Sequence, residues 1–310
     1  MAIPGIKRKK EYLGKYFNGF CIALVIAALF FTGAYAGDKR PIIIVGDSQR
    51  GHDAHREVIS AIIKKEPVAV FQLGDLVDDG RSKKEWEIFN EITAPLRSRT
   101  EYYPLLGNHE FNSGLYYDNF QLPNNEEWYY VDKNHIRFIV LDSNAQLSCG
   151  SEQYIWFENA LRSGGGIDFL IVLLHHPFFT TAARHIPDER GLLPVIMPLL
   201  EKYRVDAVFS GHNHDYERSF YNGIYFIVSG GGGAPLDDQV RQSPYSQKFV
   251  KQYHFCELMV QGTKLLVSVS DKSGALIDSF SIESKRGQAS PLAVSSKPDL
   301  SNTTAAVGVK

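Results

Sequence analysis

The chain has 310 residues, of which 44% are hydrophobic and 22% are charged, and its formal net charge is −2. This is the composition of a folded globular protein, and it excludes a fibrous or a wholly disordered chain. The length is sufficient for one large domain or two small ones.

The first 36 residues have the layout of a secretory signal peptide. A basic stretch precedes an apolar run over residues 20–31, and Ala34-Tyr35-Ala36 then provides the small-residue cleavage pattern. The apolar run is shorter than the ~20 residues that a membrane-spanning helix needs, which favours cleavage after Ala36 over an uncleaved anchor. We therefore expect a secreted or periplasmic protein that has no stable membrane anchor after cleavage.

The mature chain is expected to be acidic. Loss of residues 1–36 removes five basic residues and one acidic residue and leaves a net charge of −6. Nucleic-acid binding depends on clustered Lys and Arg, so a general nucleic-acid binder is excluded and any phosphate recognition must be local. Cys149 and Cys256 remain, and either a disulfide or two free thiols fits the sequence. The oligomeric state is left open.

Short apolar runs alternate with helical patterns through the first two thirds of the mature chain. Strands are predicted at 42–45, 68–73, 102–106, 136–141, 169–174 and 207–209. Helices are predicted at 55–65, 83–93, 152–162 and 193–203. This alternation is typical of βαβ units whose sheets are covered by helices.

The last third of the chain has a different pattern. Strands are predicted in direct succession at 225–229, 254–260, 265–269 and 275–282, which indicates that antiparallel strands close the core. Residues 285–310 are rich in Ser, Lys, Ala, Pro and Thr without periodicity, and they are predicted to be a disordered tail. The folded domain is therefore expected to cover residues 37–284.

Polar side chains follow most of the predicted strands in the first two thirds. They are Asp47, Asp75, Asn108, His109, His175, His212 and His214. In open α/β sheets ligands bind beyond the carboxyl ends of the strands, and carboxylates, amide oxygens and imidazoles together suit first-row metal ions. Each residue alone could be a helix cap or a turn residue, but their joint occurrence predicts a metal site.

Five motifs in this set carry a family resemblance. They are Gly46-Asp47, Gly74-Asp75, Gly107-Asn108-His109-Glu110, His175-His176-Pro177 and Gly211-His212-Asn213-His214. In this order, across residues 41–230, they resemble the calcineurin-like metallophosphoesterase family, and GHNHDYER at 211–218 resembles the last motif of its purple acid phosphatase branch. The resemblance implies an α/β four-layer sandwich, with two packed mixed β-sheets flanked by helices.

The resemblance also implies a dinuclear site for two divalent or trivalent ions, such as Fe, Mn or Zn. Asp75 would bridge both ions and so take part directly in catalysis, and a bridging carboxylate holds two cations roughly 3.5–4 Å apart. Asp47 and His214 would complete the first metal site. The second metal site would use Asn108, His175 and His212.

The resemblance further indicates which residues meet the substrate. His109 would be the general acid that protonates the leaving group, and its alternative role is to orient a metal ligand. Asn108 and His109 would both contact the substrate. The position of the ligand in the family pattern favours His175 over His176. Only one of the two is expected to point at the metals, because neighbours on a strand face opposite ways.

Two positions depart from the family pattern. Gln49 stands where the general family has a histidine ligand, and Asp78 stands where purple acid phosphatases have a metal-binding tyrosine. Without that tyrosine no purple colour is expected. Donor type predicts Gln49 as a ligand of the first metal. The alternatives are that Asp78 is the ligand, or that this site binds metal weakly or fills only with substrate.

The function expected from these features is hydrolysis of small phosphate esters, chiefly monoesters, by a metal-bound hydroxide in an acid phosphatase-like enzyme. A phosphodiesterase or nucleotidase with the same site is the alternative among enzymes. A non-catalytic binding protein that has lost one metal is the alternative outside them.

Overall fold

The computed structural model describes residues 40–286. The predicted signal peptide and nearly all of the predicted tail lie outside the described residues. In the described part the α-helices are α1 (His52–Ile63), α2 (Lys83–Arg97), α3 (Gly114–Asn119), α4 (Glu152–Arg162) and α5 (Leu193–Lys202), and a 3₁₀ helix covers Asn108–Glu110. Among residues 40–286, no helix combines the length and the apolar character that a membrane crossing needs.

The strands of the described residues fall into two sheets. The first contains β1 (Ile42–Val45), β2 (Ala69–Gln72), β3 (Glu101–Pro104), β11 (His254–Gln261), β12 (Lys264–Asp271) and β13 (Leu276–Glu283). The second contains β4 (Tyr129–Lys133), β5 (Ile136–Val140), β6 (Phe169–Leu173), β7 (Ala207–Ser210), β8 (Tyr216–Tyr221), β9 (Ile224–Ser229) and β10 (Ser246–Val250).

Both sheets are mixed. The first has the order β13-β12-β11-β1-β2-β3, with β1, β2 and β3 parallel and β11, β12 and β13 antiparallel. The second has the order β10-β8-β9-β7-β6-β5-β4, with a parallel centre from β5 to β9. The predicted antiparallel closure of the core is therefore confirmed.

The alternation of side chains along β1 explains the layering. Ile42 and Ile44 join the core between the two sheets, whereas Ile43 and Val45 pack with the apolar faces of α1 and α2. Successive side chains of a strand point to opposite faces, so an all-apolar strand requires burial on both sides. On the outer face of the second sheet, α4 and α5 form the corresponding layer.

The two inner faces meet through aromatic packing. Phe71 of β2 and Phe138 of β5 stack with ring centroids 4.3 Å apart, and both are fully buried. The order of layers is therefore helix, sheet, sheet and helix, and the α/β four-layer sandwich expected from the sequence is confirmed.

Differences from the sequence expectation lie in the polar strands and at helix ends. β4, β8 and β10 were not predicted, because none is a continuous apolar run. Among residues 40–286, β10 is an edge strand of the second sheet and pairs with β8 alone. α1 begins at His52 rather than at residue 55. Cys149 is exposed and Cys256 is buried, and both are free thiols.

Candidate metal centre

The residues that follow β1, β2, β3, β6 and β7 converge on one small cavity. Its volume is about 190 Å³. The lining residues are Gln49, Asp75, Asn108, His109, Arg184, His185, His212 and His214. The predicted ligands Asp47 and His175 lie behind this lining and are fully buried.

The backbone at the motifs is unusual. Asp47, Asp75 and His212 have φ values of 59°, 50° and 69°, in the left-handed region that non-glycine residues rarely occupy. Each such residue costs of the order of 1–3 kcal/mol, and outliers of this kind cluster at functional sites. Strain at three predicted ligands therefore supports a functional role for this loop cluster.

The motif glycines allow the loops to approach each other. A Cβ atom on Gly107 would lie 2.2 Å from Oδ1 of Asp75, and one on Gly211 would lie 2.4 Å from Oδ2 of Asp47. Both contacts are with a carboxylate that is itself buried, so neither could be relieved easily. Glycine is required here because the carboxylates pack directly against the neighbouring main chain.

Asp75 lies between two groups of donor atoms. Its Oδ1 is 3.4 Å from Nε2 of His175, and its Oδ2 is 3.1 Å from Nε2 of Gln49. Its two oxygens therefore face the two predicted metal sites separately, as a bridging carboxylate would.

The second predicted site is closely assembled. Nε2 of His175 lies 3.1 Å from Oδ1 of Asn108 and 3.1 Å from Nδ1 of His212. Nδ1 of His175 is 2.8 Å from the carbonyl oxygen of Leu73, which can only accept a hydrogen bond. Nδ1 therefore donates to Leu73, and Nε2 is the nitrogen that faces the other donors and would bind an ion once it has given up its own proton.

The first predicted site contains Asp47, His214 and Gln49. Nε2 of His214 is 3.7 Å from Oδ1 of Asp47 and 3.3 Å from Nε2 of Gln49, while Nδ1 of His214 donates to the carbonyl oxygen of Pro235 at 2.8 Å. A half-turn of the Gln49 amide would direct its oxygen toward the same atoms. The structure thus brings Gln49 into the group that the sequence predicted.

Orphaned acceptors indicate that this donor set suits cations. Oδ2 of Asp47 and Oε1 of Gln49 are buried without a hydrogen-bond partner in the described residues. Unsatisfied buried acceptors are costly unless a cation or another partner compensates them. Asp47, Asp75 and His175 also present ligand atoms within 4.8 Å of one another. These residues therefore fit a dinuclear site of the kind that the family implies.

The pKa shifts of the buried residues also indicate that this cluster suits cations. Burial raises the pKa of Asp47. Burial also raises the pKa of Asp75, but His175 outweighs it and holds the value at about 2. Burial lowers the pKa of His175, yet Asp75 and Asp47 raise it to about 10. A positive charge on His175 therefore offsets the carboxylates, and bound cations would take over that role.

His109 and Asp78 lie together at the mouth of the cavity. The backbone N–H of His109 donates to Oδ1 of Asp75 at 3.0 Å, and its Nε2 is 3.9 Å from Oδ2 of Asp75. The carboxylate of Asp78 pairs with Nε of Arg50 at 2.5 Å and lies 3.4 Å from Nδ1 of His109. The carboxylate of Asp78 thus lies against His109 and Arg50. Of Gln49 and Asp78, Gln49 is the better placed to bind a metal ion in the first site.

The rings of His175 and His176 have different neighbours. The ring of His176 donates or accepts at Ser143 Oγ, 2.7 Å from Nδ1, whereas the ring of His175 meets Asn108 and Asp75. β6 ends at Leu173, so the alternation of side chains between the two faces of a strand does not extend to His176. The ring centroid of His176 lies 4.5 Å from that of His212.

Glu110 was quoted in a motif but given no role by the sequence. Its side chain is fully buried and accepts three backbone N–H groups, from Gly107 at 2.6 Å, Asp75 at 3.0 Å and Leu76 at 2.8 Å. Its carboxylate therefore connects the loop after β2 to the loop after β3 through hydrogen bonds.

Three further residues at the site were missed. Arg184, His185 and Glu189 come from the long connection between β6 and α5, where no strand end or periodic pattern marks them. Arg184 and His185 line the cavity, and Glu189 accepts from Nε2 of His212 at 2.8 Å. The sequence signal that could have identified His185 and Glu189 is the density of histidines and carboxylates shortly after the His-His-Pro motif.

Sequence comparisons agree with this geometry. The calcineurin-like phosphoesterase family model matches residues 40–216. Purple acid phosphatase 22 of Arabidopsis thaliana is 29% identical over 220 residues, covering 60% of this chain and 50% of that protein. The nucleotide pyrophosphatase/phosphodiesterase of Hordeum vulgare is 25% identical over 271 residues, covering 69% and 71%. The probable inactive purple acid phosphatase 1 of A. thaliana is 28% identical over 269 residues, covering 70% and 43%.

The chain thus spans about half the length of the two A. thaliana relatives. Among solved structures, the purple acid phosphatase PPD1 of yellow lupin (Lupinus luteus) superposes with a TM-score of 0.71 at 22% identity, covering 79% of this chain and 53% of that one. GAP50 of Plasmodium gives 0.66 at 17%, covering 79% and 89%. The two structures show that the fold is shared. With the family match over more than half of its length, the chain belongs to the calcineurin-like phosphoesterase family.

Proposed function

We propose that this chain is an exported, metal-dependent phosphoesterase that hydrolyses small phosphate esters, chiefly monoesters. The observation that carries the proposal is the position of Asp75, with one carboxylate oxygen toward His175 and the other toward Gln49. A carboxylate shared between two donor groups beside an open cavity is the arrangement that two-metal phosphoryl chemistry requires.

The residues fall into two groups around Asp75. Bound metal ions would supply a hydroxide nucleophile near neutral pH and would neutralise charge on the phosphate oxygens. One ion would be held by Asn108, His175 and His212. The other would be held by Asp47, Gln49 and His214.

The size of the cavity suggests that only the phosphoryl group of the substrate enters it. Its volume of about 190 Å³ is below the roughly 300–1,000 Å³ of pockets that enclose a drug-sized ligand. The leaving group would therefore stay outside. Asn108, His109, Arg184 and His185 line the cavity and offer an amide and three basic groups to the phosphate oxygens. His109 would give a proton to the departing oxygen.

Two alternatives deserve a discriminating test. A relative named as a nucleotide pyrophosphatase/phosphodiesterase favours diester or pyrophosphate substrates. Relatives named as probable inactive purple acid phosphatases favour a binding protein without turnover.

The experiment is a metal reconstitution of the purified protein with Mn, Fe, Zn or Co, followed by turnover of p-nitrophenyl phosphate and its bis-ester. We expect two ions per chain and preferential hydrolysis of the monoester. Preference for the bis-ester would move the assignment to a phosphodiesterase. No turnover of either ester by protein that holds one or two ions would favour the binding protein, and the absence of bound metal would refute the proposal.

Export rests on the sequence pattern alone. Cleavage after Ala36 would leave a mature chain with the folded domain at 37–284 followed by the tail. N-terminal sequencing of the protein recovered from outside the cytoplasm is expected to begin at Gly37, and a chain that begins at Met1 would contradict cleavage.

A further inference from the structure

Glu189 lies against three imidazole rings at one side of the cavity. Its Oε1 is 2.8 Å from Nε2 of His212 and 3.7 Å from Nε2 of His176, and its Oε2 is 3.2 Å from Nδ1 of His185. The rings of His185 and His212 are tilted against each other, with centroids 3.5 Å apart. One carboxylate therefore contacts a predicted metal ligand and a residue that lines the cavity.

The two nitrogens of His212 have different neighbours. Nδ1 lies 3.1 Å from Nε2 of His175, inside the second predicted site, whereas Nε2 faces Oε1 of Glu189. An ionised carboxylate can only accept hydrogen bonds, so Nε2 of His212 carries the hydrogen. The lone pair of the ring is then on Nδ1, on the side where the other donors meet.

The backbone around Glu189 is held from both sides. Oδ1 of Asp188 accepts the N–H groups of Leu192 at 2.8 Å and Leu193 at 3.0 Å, at the start of α5. The guanidinium of Arg190 donates to the carbonyl oxygens of Ser143 at 3.2 Å and Asn144 at 3.1 Å. A side chain between two such anchors is suited to impose an orientation on its neighbours.

We propose that Glu189 is a positioning residue, which holds His212 with Nδ1 toward the metal site and orients His185 at the cavity. The inference rests on the proposed function in assigning a metal to His212. Carboxylates that receive the free N–H of a ligating histidine fix its tautomer and ring orientation, and their loss typically costs about 10–100-fold in metal affinity.

The test compares Glu189→Ala and Glu189→Gln with the full-length wild-type protein. Zn²⁺ affinity is measured by competition with a chelator, and the protonation state of His212 is followed by ¹⁵N-histidine NMR in metal-free and Zn²⁺-loaded protein. Glu189→Ala is expected to weaken one of the two ions about 10–100-fold. Glu189→Gln keeps one carbonyl acceptor and is expected to recover part of the loss.

A matched control removes the same charge elsewhere. Glu87 is an exposed residue of α2, and Glu87→Ala is expected to leave both affinities and the NMR signals of His212 unchanged. In metal-free wild-type protein His212 is expected to be the Nε2–H tautomer, and Glu189→Ala is expected to give a mixture.

The outcomes separate this inference from the proposed function. Wild-type protein that binds none of Zn, Mn, Fe and Co refutes the metal-dependent function, while the metal-free NMR comparison still decides whether Glu189 sets the tautomer. Two ions bound with unchanged affinity in Glu189→Ala would overturn the positioning role alone. A third ion lost in Glu189→Ala would also overturn it, because a coordinated Nε2 of His212 could not donate to the carboxylate.

Discussion

Nδ1 of His109 lies 2.6 Å from the main-chain carbonyl oxygen of Asp78. A carbonyl can only accept, so Nδ1 carries a hydrogen and the transferable proton of the imidazolium form is on Nε2. Nε2 is the nitrogen nearer to Asp75, at 3.9 Å from Oδ2. The hydrogen bond to Asp78 therefore selects Nε2 as the nitrogen that would act as the acid in the proposed reaction.

His109→Ala is expected to lower kcat by about 10²–10⁴-fold for alkyl phosphates, whose leaving groups need a proton. Aryl phosphates with acidic phenols should lose far less, because their leaving groups depart as anions. The measurement is kcat against leaving-group pKa for wild type and variant. An equal loss across the whole series would indicate instead that His109 only orients a ligand.

Asp75→Asn is expected to abolish turnover and to weaken both ions, since one oxygen of the carboxylate faces each predicted site. The loss of affinity should exceed the roughly 10–100-fold seen when only an outer partner of a ligand is removed. Metal content after dialysis and isothermal titration with Zn²⁺ measure it. Activity that survives this change would contradict the bridging role.

Gln49 offers a test of the first site in both directions. Gln49→His restores the donor of the general family pattern and is expected to tighten the first ion, whereas Gln49→Ala is expected to weaken it. The second ion should change little in either variant, because Asn108 and His175 are untouched. Sequential metal titration resolves the two sites, and equal affinities in all three proteins would exclude Gln49 as a ligand.

Glu110→Gln is expected to destabilise the two loops that Glu110 joins. The amide has one acceptor oxygen in place of two, so at least one backbone N–H among those of Gly107, Asp75 and Leu76 loses its partner. An unsatisfied buried donor costs about 1–3 kcal/mol. Urea unfolding of metal-free protein measures the change, with Glu87→Gln as a surface control; equal midpoints for the two variants would contradict this role.

Buried histidines away from the metal centre predict how stability depends on pH. Burial lowers the pKa of His254 to about 4, and that of His55 likewise to about 4. Between these values and the unfolded pKa of about 6.5, the unfolded chain binds more protons. The free energy of unfolding should therefore be highest above pH 6.5 and fall on acidification toward pH 4, by roughly 3 kcal/mol per histidine.

His254→Asn tests this dependence. Between pH 4 and 6.5 the free energy of unfolding of the variant should depend on pH less steeply, by the binding of one proton. This holds whatever the stability of the variant at pH 8, where the histidine is neutral in both the folded and the unfolded chain. Urea unfolding at several pH values gives the slope. An unchanged slope would show that His254 is not the group that titrates.

The sequence by itself determined which strands are buried on both faces and where the candidate ligands lie. All-apolar strands such as β1 require burial on both faces, and the turns that follow them must present Asp47, Asp75, Asn108 and the histidines at the strand ends, because local pattern and strand polarity already decide where those residues lie. Polar strands such as β8 were missed, since their burial depends on neighbours that a local pattern does not reveal.

Only the tertiary structure decided the orientation and the partners of the site residues. That Asp75 divides its two oxygens between His175 and Gln49 follows from loops of two different sheets meeting. Glu189 reaches His212 from a connection without regular structure, 23 residues away in sequence. Such contacts arise from packing between distant segments, where the direction of each side chain is set by main-chain anchors that no sequence period encodes.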